Sequence, residues 1–137
     1  MTRHAEGPFE VKLNPLPADA GSEAADIGRL GLDKRFHGDL EATSVGQMLA
    51  LHGDEKGSAG YVAIERISGQ LHGRSGSFAA QHAGLMDRGE KSLRIDIIPD
   101  SGRGDLVGIR GHMDIRIEAG GAHFYTIDYR LPDDTTR

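Results

Sequence analysis

The sequence predicts an all-β protein: a closed antiparallel β-barrel of about eight strands with little or no helix. Three observations carry this. Apolar and polar residues alternate with a period of two along most of the 137 residues, the spacing that puts successive side chains on opposite faces of a strand. The connections between these runs are mostly short and polar, which makes neighbouring strands antiparallel, because a parallel pair needs a long crossover. The 20 glycines are spread through the chain rather than gathered in a linker, as turns, bulges and strongly bent strands require. An open sheet of this many twisted strands would leave exposed edges, and closure removes them. A two-sheet sandwich is the structural alternative.

A single domain spans residues 1–137, with loose termini at about 1–7 and 132–137. Phe9, Val11 and Leu13 alternate with Glu10 and Lys12 until Pro15 and Pro17 end the first strand. Residues 17–26 are acidic and small, and read as a solvated loop with room for one helical turn. From Ile27 the period returns, with Leu30, Leu32 and Phe36 on one face and Gly31, Asp33 and Arg35 on the other. Gly38-Asp39 signals a turn. Residues 40–51 have helical spacing through Val45, Met48, Leu49 and His52, and strand spacing through Glu41, Thr43, Val45, Gln47, Leu49 and Leu51. Gly46 and the β-branched Thr43 and Val45 favour the strand.

After a polar loop at 53–60, Tyr61 to Leu71 reads as a long strand. Tyr61, Ala63, Glu65, Ile67, Gly69 and Leu71 share one face; Val62, Ile64, Arg66 and Ser68 share the other. A turn is expected over 73–76, and Phe78, Ala80, His82 and Gly84 then oppose Ser77, Ala79, Gln81 and Ala83. Arg88-Gly89-Glu90 turns the chain again, and Leu93, Ile95 and Ile97 alternate up to Pro99. A loop at 100–105 precedes an alternating run over 107–117. Gly120-Gly121 makes a tight hairpin before the last strand, Phe124 to Leu131.

Composition narrows the function classes. The net charge is -5 and the Lys and Arg residues are scattered, so the basic stripe that neutralises phosphates is missing and no nucleic-acid partner is expected. No run approaches the roughly 18 apolar residues of a spanning helix, and the first residues lack the apolar core of a signal peptide. A cytoplasmic location without a membrane partner is the resulting expectation. The absence of cysteine excludes disulfides and thiolate chemistry. The seven histidines show no His-Glu-x-x-His and no i, i+4 pair on a credible helix, so neither a metal nor another cofactor is expected.

The run Gly57 to Arg66, followed by Leu71-His72-Gly73-Arg74-Ser75-Gly76-Ser77-Phe78 and Gln81-His82, resembles the small bacterial proteins grouped as domain of unknown function 3224. Phe36-His37-Gly38-Asp39-Leu40-Glu41 and Pro99-Asp100-Ser101-Gly102 fit the same likeness, which covers roughly Phe9 to Leu131. The resemblance implies a closed barrel similar to that of allene oxide cyclase, and no established activity.

Alternate residues of a barrel strand point inward, so chemistry belongs on the inner faces. Glu65 stands among small and apolar neighbours, where a carboxylate must find a partner or take up a proton. With a raised pKa it would exchange protons near neutral pH; paired, it would be structural. Glu41, sharing a face with Asp39 and Thr43, would join Glu65 if the two strands pair in the matching register. These two carboxylates are the catalytic candidates. Tyr61, Ala63, Thr43, Gln81, His82, Met113 and Phe124 are the ligand-binding candidates, although Gln81 and His82 face opposite ways and only one of them lines the interior. Three functions compete. The first is a barrel binding a small, mostly apolar molecule. The second is a cofactor-independent cyclase or isomerase using interior carboxylates. The third is a structural or interaction protein with a filled barrel. Barrels of this size pack side by side, which makes a homo-oligomer an open expectation.

Overall fold

The computed structural model describes residues 1–21 and 23–132. Its strands, in chain order, are β1 (Arg3–Leu16), β2 (Gly28–Phe36), β3 (Leu40–His52), β4 (Ala59–Leu71), β5 (Arg74–Asp87), β6 (Glu90–Ile97), a two-residue β7 (Arg103–Gly104), β8 (Arg110–Ile117) and β9 (His123–Arg130). Eight of them close into an antiparallel barrel in the order β1-β2-β3-β4-β5-β6-β8-β9 and back to β1. Among the described residues, β7 pairs only with the start of β5. The acidic connection holds one turn of 3-10 helix, Glu23–Ala25.

β1 closes the barrel by dividing its partners. Arg3 to Phe9 pair with β9, and Phe9 to Leu16 pair with β2. The expected loose start is therefore strand, with Ala5 fully buried. The strand also continues past Pro15 to Leu16. Of the expected loose end, residues 133–137 lie outside those described. The β4–β5 turn is tighter than the glycines at 73 and 76 indicate. His72 (φ 48°) and Gly73 (φ 79°) make it alone, both left-handed as the two-residue hairpin matching strand twist demands. Arg88 (φ 49°) and Gly89 (φ 93°) repeat this geometry between β5 and β6.

The interior is filled at one end and open at the other. At the filled end, Phe36, Leu40, Leu71, Phe78, Ile97, Tyr125, Ile127 and Tyr129 are all buried, and Leu106 and Ile109 from the β6–β8 connection cap them. Each large apolar side chain so removed from water contributes on the order of 1.5–3 kcal/mol. The opposite end is reached by the beginnings of β2, β4 and β6 and the ends of β3, β5 and β8. There the inward residues are Leu30, Met48, Ala50, Tyr61, Gly84 and Leu93, and none of the large ones is buried.

Candidate functional site

Between the two halves lies a layer of buried polar side chains: Lys34 (β2), Ser44 (β3), Glu65 (β4) and His82 (β5). They meet because four adjacent strands are aligned in register. Lys34 pairs with Ser44, Glu65 with Gly46, and His82 with Ala63. Glu65 is the hub. Lys34 Nζ donates to its Oε2 at 2.8 Å, His82 Nε2 donates to the same oxygen at 2.5 Å, and Ser44 Oγ donates to Oε1 at 2.7 Å. The Lys34 ammonium also lies 5.4 Å and 5.9 Å from the ring centres of Phe9 and Phe36, tying the polar layer to the filled core.

Burial pushes the Glu65 pKa up, but the hydrogen bonds and charges of His82 and Lys34 outweigh it and hold the carboxyl at about 2. Glu65 is therefore an ionised acceptor, and His82 Nε2 carries the hydrogen that it receives. His82 Nδ1 makes no hydrogen bond among the described residues. No fully buried side-chain nitrogen or oxygen among them is unpartnered.

Above this layer the open end forms a recess of about 380 Å³, lined chiefly by Leu30, Met48, Ala50, Tyr61, Gly84 and Leu93. The Tyr61 ring occupies the place a side chain at residue 84 would need; a Cβ there would lie 2.3 Å from Tyr61 Cε1. Tyr61 stands 6.3 Å from the His82 ring, centre to centre. Partial burial, and secondarily the Glu65 charge, push its phenol pKa up, so it is a hydrogen-bond donor at neutral pH. Its hydroxyl has no hydrogen-bond partner among the described residues.

The signature of the family described as "Protein of unknown function (DUF3224)" matches residues 5–129. The chain belongs to the DUF3224 family. A DUF3224 protein from Shewanella oneidensis MR-1, whose crystal structure is described as that of a protein with unknown function, is 44% identical to this chain. The two superpose with a TM-score of 0.87 over 96% of this chain and 98% of that one. No curated protein matches this DUF3224 chain.

The barrel sorts the sequence candidates by face. Glu65, Ala63, His82 and Met113 are inward and buried, and Tyr61 is inward and half-buried. Glu41 is not with them. In the β3–β4 ladder Glu41 pairs with Gln70 and Gly46 with Glu65, so even-numbered residues of β3 share the face of odd-numbered residues of β4. Glu41 points outward with its side chain 61% exposed and accepts a hydrogen bond from the Gly38 amide. Thr43 follows it outward. Gln81 is exposed on the outer face, the alternate of inward His82. Phe124 is half-buried beneath the Arg116 guanidinium, 4.8 Å away, on the outside of the barrel. The expected rise in the Glu65 pKa is reversed by His82 and Lys34. Two members of the site are absent from the sequence candidates: Lys34 and Ser44. The signal for Lys34 was present, as a cation in phase with Leu32 and Phe36. Ser44 was hidden because Val45, Leu49 and Leu51 made the opposite face of β3 look like the inner one.

Proposed function

We propose that this protein binds a small, mostly apolar molecule in the open end of the barrel. The observation that carries the reading is the apolar recess of about 380 Å³ with Tyr61 in its lining, whose hydroxyl has no hydrogen-bond partner among the described residues. That volume falls within the range of small-molecule pockets, and a few convergent polar groups in an apolar lining are their usual make-up. A molecule with one polar group within reach of the Tyr61 hydroxyl fits this chemistry. The neutral fluorophore N-phenyl-1-naphthylamine tests it. Emission should rise on mixing with the wild type and with Val62→Ser on the outer wall, and should be lost in Ala50→Phe, which fills the mouth. Equal emission from Ala50→Phe and the wild type, or none from the wild type, overturns the reading.

A second observation favours association with a second copy. Val45, Leu49, Leu51, Val62, Ile64 and Leu85 are exposed on the outer faces of β3, β4 and β5, next to one another across the ladders. Isolated monomers rarely leave such patches uncovered. Arg29 lies across the ladder from Leu49, and Asp33 and Arg66 flank Val45, so charges of both signs border the apolar patch. Sedimentation equilibrium is the check: a wild-type assembly should dissociate in Ile64→Glu, and a wild-type monomer at all concentrations sinks the idea.

A further inference from the structure

We propose that the molecule bound in the mouth is a carboxylate with an apolar tail, its head held at the rim by the Lys91 ammonium and the Tyr61 hydroxyl. This rests on the binding reading above and names the chemical class of the ligand. The register places the rim. His52 pairs with Ala59, Ala59 with Met86, and Met86 with Lys91. Each of the four is in phase with a deeper inward residue of its own strand, Lys91 with Leu93 and the buried Ile95. They are therefore the last inward-facing row of β3 to β6, and all four line the recess.

Charge at this rim has one sign. No Asp or Glu lines the recess, and Lys91 is a cation in a lining that is otherwise largely apolar. His52, the other polar side chain of the row, can carry only positive charge. Asp87 and Glu90 pair with each other across the β5–β6 turn and alternate with inward Met86 and Lys91, so they belong to the outer face. Arg94 is also outward, and is held by Asp96 at 2.7 Å. Lys91 makes no ion pair among the described residues. The second donor comes from the row below. Tyr61 Cζ stands 3.1 Å from where a Cβ of residue 84 would be, so the ring leans from β4 over β5, towards the strand of Lys91. A carboxylate has two acceptor oxygens, enough for an ammonium and a phenol at once. Below the head, Ala50, Leu93 and Met48 line the recess. From Lys91 to buried Ile95 is roughly 13 Å of strand, or about 10 Å of depth at the usual barrel tilt. That depth and lining take an alkyl tail and select against a polyhydroxylated or multiply charged molecule.

The test is displacement of N-phenyl-1-naphthylamine at neutral pH by octanoate and, separately, by octanamide, an uncharged molecule of the same size. The wild type should prefer octanoate by about fivefold, the upper range for an exposed ion pair. Lys91→Gln should remove that preference, Lys91→Glu should reverse it and Lys91→Arg should keep it. Tyr61→Phe should narrow it, because the charged acceptor loses the stronger hydrogen bond. The preference is a ratio measured within one protein, so a change in the apolar lining or in the folded fraction cancels from it. A bound fluorophore that both ligands displace equally, or that neither displaces, overturns the carboxylate and leaves the binding reading standing. A preference that survives in Lys91→Gln places the charge elsewhere and overturns it as well. A wild type that does not bind the fluorophore overturns both.

Discussion

Gly46 lies directly across the β3–β4 ladder from Glu65, and a Cβ at residue 46 would stand 2.8 Å from both Cα and Cβ of Glu65 and 2.3 Å from the Ile64 carbonyl oxygen. The missing side chain on β3 is thus what lets the central carboxylate sit in the barrel. Two of the three obstructing atoms are backbone, so a neighbour cannot swing aside. Gly46→Ala should destabilise the fold by about 1–3 kcal/mol, the usual cost of overpacking. Urea denaturation of the two proteins measures it, and an unchanged midpoint would show that β3 moves away from β4 freely.

Acid should act on the fold through Glu65. Its carboxyl has a folded pKa of about 2 against an ordinary value of 4.5. The unfolded chain therefore binds this proton first as pH falls. The stabilisation is complete above pH 4.5 and is lost as pH drops towards 2. The difference corresponds to about 3 kcal/mol. Unfolding free energies of wild type and Glu65→Gln at pH 6, 4 and 3 should converge as the pH falls. A constant gap across that series would contradict the assignment.

Breaking the Lys34–Glu65 pair should cost more than replacing it. Lys34→Met alone leaves a buried carboxylate without its cation, a loss of about 3–5 kcal/mol. Lys34→Met combined with Glu65→Gln removes both charges and should cost less than the sum of the single changes. A double-mutant cycle in thermal unfolding gives the coupling, and strict additivity would mean that the two groups do not share the site.

The filled end depends on one phenol. Tyr125 donates to the His37 carbonyl oxygen at 2.7 Å and accepts from the Leu40 amide at 2.8 Å, bridging the β2–β3 turn to β9. Burial, with the nearby Asp39, Glu41 and Glu6 charges, pushes its pKa up to about 12. Tyr125→Phe keeps the ring against Phe36, 5.5 Å centre to centre, and strands the Leu40 amide. A loss of about 1–3 kcal/mol is expected, together with faster hydrogen exchange at Leu40. Because Tyr125 sits at the capped end, fluorophore binding at the mouth should be unchanged.

Strand positions, antiparallel order and barrel closure were legible in the sequence because each depends on local features: the period of two, short connections and turn residues. Glu65 was legible for the same reason, as an acid in phase with Tyr61, Ala63 and Ile67. Its partners were not. Alternation divides β3 into two faces without saying which is inside, and Val45, Leu49 and Leu51 are more apolar than Ala42, Ser44 and Gly46. Only the closed barrel decides between them. Its interior, already occupied by Phe9, Phe36, Phe78 and Tyr125, takes the small residues of β3 and leaves the larger apolar ones outside. That one choice of register removed Glu41 from the interior and brought Lys34 and Ser44 onto Glu65. The sequence by itself determined a barrel with an acid inside it. The tertiary structure decided which side chains hold that acid ionised, because cross-strand register depends on packing volumes from strands far apart in the chain.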